Sequence, residues 1–536
     1  MPDYRLLEYG LAAMWVFFVF AWGACLGSLI NVLVYRLPLG IGVVTPPSRC
    51  PACETKLTWR ENVPVLGWLM LKGRCRFCRS RISGEYPLVE LLVGVLWVSL
   101  FALYYLVPVG TRLLGVPIDQ IRPEWAMADA WTGWPRTTWP MFAALLLLVA
   151  SLVAMTLTDL KTFTIPLVLP WFATIVGVSL HTLGGVLNPE GLMRVAPGWA
   201  WAIPTPGGAA PATPGAWWWI GATLGGVLGL GVANLLLHFK LIRRSFDDYA
   251  DWERATYPQA VEAARAEHDR EAPGDRPGEY LVGEHAGSGV RSVVVFAGVW
   301  LGAIVVGGAA GAVIGPRAGI APWWGVLVGA VGGPILAAVL GRGSAAGVAT
   351  QGAAGASSPT EASAPEMWIA YPHARREMLK ELIFLTPCLA LGLLGGLIAQ
   401  RAVGLAPPTP PMWLLTLSGS LMGYLIGGGV VWGIRILGSL GFGKEAMGLG
   451  DVHLMAAVGA VAGWITASLA VPIAAVVGLY WFVISAVMNR PAGRAMPFGP
   501  YLAVASVLVI LGRPAIELGL NWLLATGVDV SRLTLP

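Results

Sequence analysis

Charged residues are scarce in this sequence of 536 residues. Asp, Glu, Lys and Arg together make up 12% of the chain, whereas soluble globular domains contain about 25%. Hydrophobic residues reach 56%. This composition excludes an ordinary soluble domain and predicts a polytopic membrane protein, with the lipid bilayer as its surroundings.

Basic residues exceed acidic residues only slightly, with a formal net charge of +5. This excess would suggest acidic partners if it were spread evenly, but the basic residues concentrate near the ends of apolar runs. The positive-inside rule explains that placement, because Lys and Arg accumulate in cytoplasmic loops. Nucleic acid is not implied as a partner.

Long apolar runs dominate the rest of the sequence. Windows of about 19 residues predict an all-α helical bundle with about twelve membrane spans. The predicted spans are 11–35, 87–107, 140–158, 165–187, 216–238, 292–314, 322–341, 381–402, 412–438, 451–468, 470–488 and 498–516. Alternating sidedness then places loops 36–86, 239–291 and 342–380 inside, and loops 108–139 and 188–215 outside.

The first apolar run has no small-residue cleavage site after a short core, so we interpret it as a retained span rather than a signal peptide. Nine Lys or Arg follow between Arg36 and Arg81, against only Glu54 and Glu61. The positive-inside rule therefore predicts that this segment is cytoplasmic and that the N-terminus is outside.

Cysteine is also rare, with six residues in the whole chain. Four of them, Cys50, Cys53, Cys75 and Cys78, fall in the predicted cytoplasmic segment, where a reducing environment disfavours disulfides. Their two C-x2-C pairs predict a closed four-thiolate shell, which is typical of structural rather than catalytic zinc. Cys25 and Cys388 fall in apolar runs and are interpreted as packing residues.

Two aspartates stand at the predicted cytoplasmic ends of apolar runs. Asp159 follows the run ending at Thr158, and Asp451 follows Gly448-Leu449-Gly450 directly before another run. Each one alone is compatible with an ordinary helix end, and Asp451 is also compatible with a helix N-cap. Together at one membrane level they predict an intramembrane aspartyl protease, because carboxylates are rare at membrane depth.

Two carboxylates within hydrogen-bond reach cannot both ionise freely, so they share a proton. The ionised carboxylate then takes a proton from water, and the protonated carboxyl polarises the scissile carbonyl. Which aspartate acts as base stays open. Gly448 and Gly450 allow close backbone approach of a substrate. His453 is either a charged neighbour of Asp451 or a simple first-turn surface residue, while His181 and His238 are interpreted as packing residues.

Several motifs, in order, resemble those of the type IV prepilin peptidases, membrane aspartyl proteases of the GxGD type. The resemblance rests on Gly27-Ser28-Leu29-Ile30-Asn31-Val32-Leu33-Val34-Tyr35-Arg36-Leu37-Pro38, Pro47-Ser48-Arg49-Cys50, Asn62-Val63-Pro64-Val65-Leu66-Gly67-Trp68, the second cysteine pair, Tyr86-Pro87-Leu88-Val89-Glu90, Gly443-Lys444-Glu445-Ala446-Met447-Gly448-Leu449-Gly450-Asp451-Val452-His453-Leu454 and Pro497-Phe498-Gly499-Pro500. It covers roughly residues 11–187 and 412–516.

The resemblance implies that Asp159 and Asp451 are the catalytic pair and that Gly448, Gly450, Glu445 and His453 support the second motif. It implies cleavage of a short basic leader from prepilins or pseudopilins of pilus and type II secretion systems, at the cytoplasmic face of the bacterial inner membrane. It also implies a second activity, N-methylation of the new N-terminus with S-adenosylmethionine, associated with the zinc module.

Three departures from the family pattern stand out. Leu167 follows Ile165-Pro166 where the family often has Asp or Asn, and His453 replaces a usual lysine. The largest departure is an added stretch at about 216–411 with roughly four extra spans. Because an even number of spans preserves sidedness, the two aspartates remain at one face.

These features divide the chain into five expected parts. They are a first span (1–37), a cytoplasmic four-cysteine zinc module and methyltransferase region (38–86), a first core part with Asp159 (87–238), inserted loops and spans (239–411) and a second core part with Asp451 (412–536). The alternatives left open are a peptidase without methylation, a proton-coupled transporter and a non-catalytic assembly factor.

Overall fold

The computed structural model describes residues 4–113, 116–117, 122–127, 129–130, 132–188, 214–249, 251–252, 255, 372–404, 408–487 and 497–524. The predicted spans 292–314 and 322–341, and most of the loops 239–291 and 342–380, lie outside these residues.

Most of the described residues are helical, which confirms the predicted all-α class. The helices are α1 (Tyr4–Arg36), α2 (Leu66–Met70), α3 (Glu85–Phe101, continued by a π-turn at Ala102–Leu106), α4 (Glu124–Met127), α5 (Trp139–Thr162), α6 (Val168–Leu187), α7 (Pro214–His238), α8 (Ala374–Val403), α9 (Met412–Phe442), α10 (Leu449–Ala462), α11 (Trp464–Val487) and α12 (Gly499–Leu524). Two short strands of two residues each, β1 (Arg112–Leu113) and β2 (Val116–Pro117), pair in antiparallel orientation.

Eight helices in the described residues are long and apolar enough to cross a bilayer: α1, α3 with its π-turn, α5, α6, α7, α8, α9 and α11. These eight agree in position with predicted spans. The chain is therefore a multi-pass membrane protein, as its composition predicted.

The prediction of a span at 451–468 is wrong in its length. Helix α10 ends at Ala462, and Gly463 follows with φ 90°, a conformation that favours glycine. Helix α11 then begins at Trp464 rather than at 470. With 14 residues, α10 is about 21 Å long, which is less than the bilayer's apolar thickness of about 30 Å.

Helix α10 is the centre of the bundle. It contacts α5, α6, α9, α11 and α12, and most of its side chains are buried. Its last carbonyls also find partners, since Ser420 Oγ donates to the Ala460 carbonyl at 2.5 Å and His181 Nε2 lies 3.0 Å from the Val461 carbonyl. His181 is therefore a buried packing residue, as predicted.

Close backbone approach sets the contact between α9 and α10. A Cβ added at Gly423 meets the Gly459 carbonyl carbon at 2.5 Å, and one added at Gly459 meets the Gly423 carbonyl carbon at 2.6 Å. Because rigid backbone atoms oppose any side chain there, glycine at both positions allows the two helices to touch. This contact sets the close spacing between α9 and α10.

Hydrogen bonds hold the cysteine segment (residues 37–84) to α1 and α3, the helices on either side of it in sequence. The Asn31 side-chain amide donates to the Tyr86 carbonyl at 3.1 Å, and Arg36 Nη1 donates to the Gly42 and Val43 carbonyls. The buried Glu90 carboxylate accepts the Val65 N–H at 2.6 Å. That bond supports Val65 at φ 61°, a conformation that β-branched residues rarely adopt.

Helices α7 and α8 form a pair at the side of the bundle, in which each packs mainly on the other and then on α9. Cys388 of α8 packs near Gly226 of α7, as expected of a packing residue. Cys25 is exposed on α1, so the prediction that it packs within the chain is wrong. Its helix lies at the edge of the bundle and presents this face outward.

Candidate functional site

Asp159 lies in the last turn of α5 and is only 5% exposed. The chain reverses directly after it, because Phe163 ends the helix at φ 54° and its N–H bonds back to the Asp159 carbonyl at 2.8 Å. Gly499, the first residue of α12, lies against the Asp159 carboxylate. The side chain therefore points toward the start of α12.

Asp451 lies in the first turn of α10 and is 8% exposed. Its carboxylate lies beside Gly448, since a Cβ built on that glycine would be 3.6 Å from Asp451 Oδ2. Gly448 is the N-cap of the helix and Asp451 is its third residue, so the possibility that Asp451 is the N-cap is wrong. Its burial also distinguishes Asp451 from an ordinary surface residue at a helix start.

The structure brings the two aspartates together although residues 160–450 separate them in sequence. Their charges act on each other, and the positive charge of Arg435 also acts on Asp451. Ile165, in the turn after Asp159, fills the space between the two helix starts: a Cβ at Gly450 would lie 3.1 Å from Ile165 Cβ, and one at Gly499 would lie 3.3 Å from Ile165 Cδ1.

Gly499 has a direct steric relation to the first aspartate. A Cβ at this position would lie 2.5 Å from Asp159 Oδ2, so a side chain larger than hydrogen displaces the carboxylate. The Pro497-Phe498-Gly499-Pro500 motif thereby obtains a physical reason: its glycine leaves room for the Asp159 carboxylate.

The remaining motif residues are dispersed around Asp451. Glu445 is part of the loop before α10 and accepts a hydrogen bond from Arg435 Nη1 at 2.5 Å. His453 lies against the Trp171 ring of α6, with ring centroids 6.2 Å apart. Leu167 is half-exposed at the start of α6. The basic residue whose charge acts on Asp451 is therefore Arg435, which the sequence analysis did not single out.

The four predicted cysteine ligands form one cluster. Their sulfur atoms all lie within 4.8 Å of one another, with Sγ–Sγ distances of 3.8 Å for Cys50–Cys78 and 4.0 Å for Cys53–Cys75. Four thiolates at about 2.3 Å from a tetrahedral zinc ion are about 3.8 Å apart. The cluster can therefore hold a metal ion, and its dimensions fit zinc.

The two cysteine pairs sit in equivalent turns. Glu54 N–H bonds to the Cys50 carbonyl and Arg79 N–H bonds to the Cys75 carbonyl, and both Glu54 and Arg79 adopt positive φ. A hydrogen bond from the Cys53 backbone N–H lowers the pKa of Cys50 to about 6, and one from Ser80 Oγ lowers the pKa of Cys78. The thiolate, which is the metal-binding form, is thus favoured at Cys50 and Cys78.

The cysteine cluster and the aspartate pair lie at the same end of the bundle. Glu85 begins α3 directly after the cysteine segment, and its Oε2 lies 3.7 Å from Nζ of Lys161, two residues beyond Asp159. This ion pair joins the two sites across the end of α5.

Residues 21–104 match the family model of the Bacterial Peptidase A24 N-terminal domain. The resemblance to the type IV prepilin peptidases is confirmed over this region. A prepilin leader peptidase/N-methyltransferase of Myxococcus xanthus (strain DK1622) is 52% identical over 80 residues, which are 15% of this chain and 24% of that protein. One from Klebsiella pneumoniae is 45% identical over 108 residues, 19% of this chain and 46% of its own length.

A type 4 prepilin-like proteins leader peptide-processing enzyme of Escherichia coli O78:H11 (strain H10407 / ETEC) is 40% identical over 91 residues, 14% of this chain and 34% of that protein. The chain thus spans less than half the length of each of these three relatives. No solved structure matches it.

Proposed function

We propose that this protein is a membrane aspartic endopeptidase that cleaves the basic leader from type IV prepilins or pseudopilins. The observation that carries the proposal is the meeting of two buried carboxylates, Asp159 and Asp451, at the end of the bundle that also bears the cysteine cluster. The names of the matching relatives support the same reaction.

In the proposed reaction, one carboxylate is ionised and the other is protonated. The ionised group takes a proton from water, whose oxygen attacks the scissile carbonyl carbon, while the protonated group donates to the carbonyl oxygen. The resulting tetrahedral intermediate collapses when the amide nitrogen receives a proton and leaves as an amine. Sequence and geometry allow either aspartate to begin as the base.

The substrate explains why the pair stands at a helix end. A prepilin has one apolar helix, which can enter from the bilayer, and a positively charged leader, which stays in the aqueous phase beside two acidic groups. Gly448 is exposed and leaves the backbone before α10 open to an extended peptide, whereas Gly450 packs against Ile165. The positive-inside rule places this end in the cytoplasm of a bacterium, with the N-terminus outside the inner membrane.

We further propose that Cys50, Cys53, Cys75 and Cys78 hold a structural zinc ion, because four thiolates close the coordination shell. The metal stabilises the fold of residues 38–86, a segment too short for a large core. The second activity named for the relatives, N-methylation, is assigned to this region, and S-adenosylmethionine supplies the methyl group when bound. The core parts are then 87–238 and 412–536, with 239–411 inserted between them.

Coexpression with a prepilin that bears a basic leader tests the proposal. The mass of the recovered pilin reports both reactions: loss of the leader shows cleavage, and one additional methyl mass shows methylation. We expect Asp159→Asn and Asp451→Asn each to leave the full-length prepilin at unchanged membrane levels of the enzyme. Normal processing by either variant rules out the two-aspartate mechanism, and cleavage without the methyl mass limits the function to proteolysis.

A further inference from the structure

Arg435 lies within the apolar helix α9 and is 2% exposed. A charged side chain at membrane depth is unfavourable unless it is paired. Its guanidinium has five N–H donors in a fixed fork, so it can bind several acceptors at once. Three different parts of the chain supply these acceptors and the surface that covers them.

The first acceptor is Glu381 of α8, which is 4% exposed. Its carboxylate accepts from Arg435 Nε at 3.2 Å and from Nη2 at 3.2 Å. Trp432, one turn before Arg435 on α9, donates its indole N–H to the same carboxylate at 2.7 Å. Helix α8 belongs to the inserted segment 239–411, so the insertion neutralises the buried cation.

The second set of acceptors lies in the loop that leads to Asp451. Arg435 Nη1 donates to Glu445 Oε1 at 2.5 Å and to the Met447 carbonyl. Met447 immediately precedes Gly448, and a Cβ built on Gly448 would lie 3.6 Å from Asp451 Oδ2. One guanidinium thus connects the inserted helix to the backbone that lies beside the second aspartate.

Phe246, also in the inserted segment, covers the same guanidinium with its ring centroid 5.5 Å from the Arg435 Cζ atom. Its backbone N–H donates to Glu377 Oε2 at 2.7 Å, and Glu377 in turn pairs with Lys380 at 2.8 Å. Two described parts of the inserted segment, at residue 246 and in α8, therefore converge on Arg435.

We propose that Arg435 is a positioning residue: clamped by Glu381 of the insertion, it holds the Glu445–Gly448 loop so that Asp451 faces Asp159. The catalytic part of this inference rests on the proposed function. The insertion is then not a neutral addition, because it completes the support of the second aspartate motif.

A geometric experiment tests the clamp without using activity. Cysteines introduced as Ile165→Cys and Gly450→Cys place two Cβ atoms about 3.1 Å apart, close to the range of disulfides. Mass spectrometry of the oxidised full-length protein measures the linked peptide. We expect Arg435→Met to lower its yield at least fivefold and Arg401→Met, an exposed control on α8, to leave it unchanged. Equal yields in the two backgrounds overturn the proposal.

Cleavage kinetics in the otherwise wild-type chain provide the second measurement. We expect Arg435→Met to lower kcat about 100-fold at a nearly unchanged KM, because a displaced catalytic group loses orientation while the substrate contacts persist. Arg435→Lys should recover part of this loss, since it keeps the charge but cannot bind all partners at once. Arg401→Met should match wild type.

The double variant Glu381→Met/Arg435→Met separates positioning from simple charge compensation. Replacing a buried ion pair by apolar residues can preserve stability, so we expect the thermal midpoint to recover while kcat and the disulfide yield stay low. Recovery of both to wild-type values overturns the clamp. If instead the Asp→Asn variants still process prepilin but the disulfide yield depends on Arg435, the proposed function fails and the positioning role stands.

Discussion

The cysteine cluster and the aspartate pair are assembled in opposite ways. All four sulfur ligands come from residues 50–78, and each pair is shaped by its own local turn. The aspartates come from α5 and α10 and meet only because five helices pack around α10. A local site tolerates changes in the distant helices, whereas a site built by helix packing depends on every contact that places α10.

The two sites also differ in how they use charge. The cysteine turns supply backbone and hydroxyl donors that favour thiolates, which a cation can then bind. The aspartate site instead holds two carboxyl groups in a buried place, with Arg435 nearby. The proposed zinc ion would complete the first arrangement, whereas the proposed reaction requires the second to exchange protons with water. Variants that affect one site and spare the other test this contrast.

The largest expected effect is loss of cleavage in the aspartate variants, which should affect the aspartate site and spare the cysteine cluster. Asp159→Asn and Asp451→Asn should each reduce kcat by about 10³-fold or more, because each removes one half of the acid–base pair. The double variant should lose no more than either single one, since the residues act as a unit. Zinc content, measured by elemental analysis, should stay unchanged. Additive losses would contradict a shared function.

The next largest effect is expected from a variant that disrupts the cysteine cluster alone. Cys50→Ser should abolish zinc retention and make residues 38–86 sensitive to limited proteolysis, because metal binding supplies about 10 kcal/mol or more of folding free energy. Methylation should be lost. Cleavage should fall by no more than about fivefold, because the described link between the sites is one partly exposed ion pair worth up to about 1 kcal/mol. Complete loss of cleavage would show that the sites are not independent.

A smaller effect is expected from Gly499→Ala, which disturbs the aspartate site by steric contact alone. The new methyl group displaces the Asp159 carboxylate, and a misplaced catalytic group costs about 100-fold in rate. The thermal midpoint should change little, because the displaced atom ends a rotatable side chain. Gly512→Ala on the same helix is the matched control, with no atom within 4 Å of its added Cβ. Equal activity in both variants would contradict the steric relation.

The smallest effect is expected from removing the ion pair between Lys161 and Glu85, which joins the two sites. Lys161→Ala removes the ion pair with Glu85, and partly exposed pairs contribute about 0–1 kcal/mol. We therefore expect cleavage and methylation rates within about fivefold of wild type, measured on the same prepilin. Glu85→Gln should have the same effect, and the two changes together should cost no more than either one. A large loss in Lys161→Ala alone would assign Lys161 a separate role.

Much of this fold was accessible from the sequence because its signals are local. Cysteine spacing predicted the cluster, and apolar runs predicted eight helices that the structure describes. Helix α10 was predicted too long because a hydropathy window averages across Gly463, whose positive φ ends the helix. Its buried C-terminal end could not be inferred either, because Ser420 and His181, which bond its carbonyls, lie on other helices.

Arg435 shows what the sequence analysis missed despite a visible signal. An arginine inside the apolar run 412–438 marks a functional position by default. Its partner Glu381 stands at the start of another predicted span, and nothing in the spacing of the two residues indicates that they meet. Only the packing of α8 on α9 reveals the pair. Long-range pairing of this kind, like that of the aspartates, depends on topology.

The shortness of α10 has a consequence for the membrane as a barrier. Beyond Asp451 the helix continues as Ala456–Val461, a tightly buried stretch without any ionisable side chain, and it stops at Gly463. The only side chains described as bonding this end of α10 are Ser420 and His181, which are both buried. In the proposed hydrolase, water is therefore expected to enter from the Asp451 end of the helix, so that hydrolysis need not open a path for ions across the bilayer.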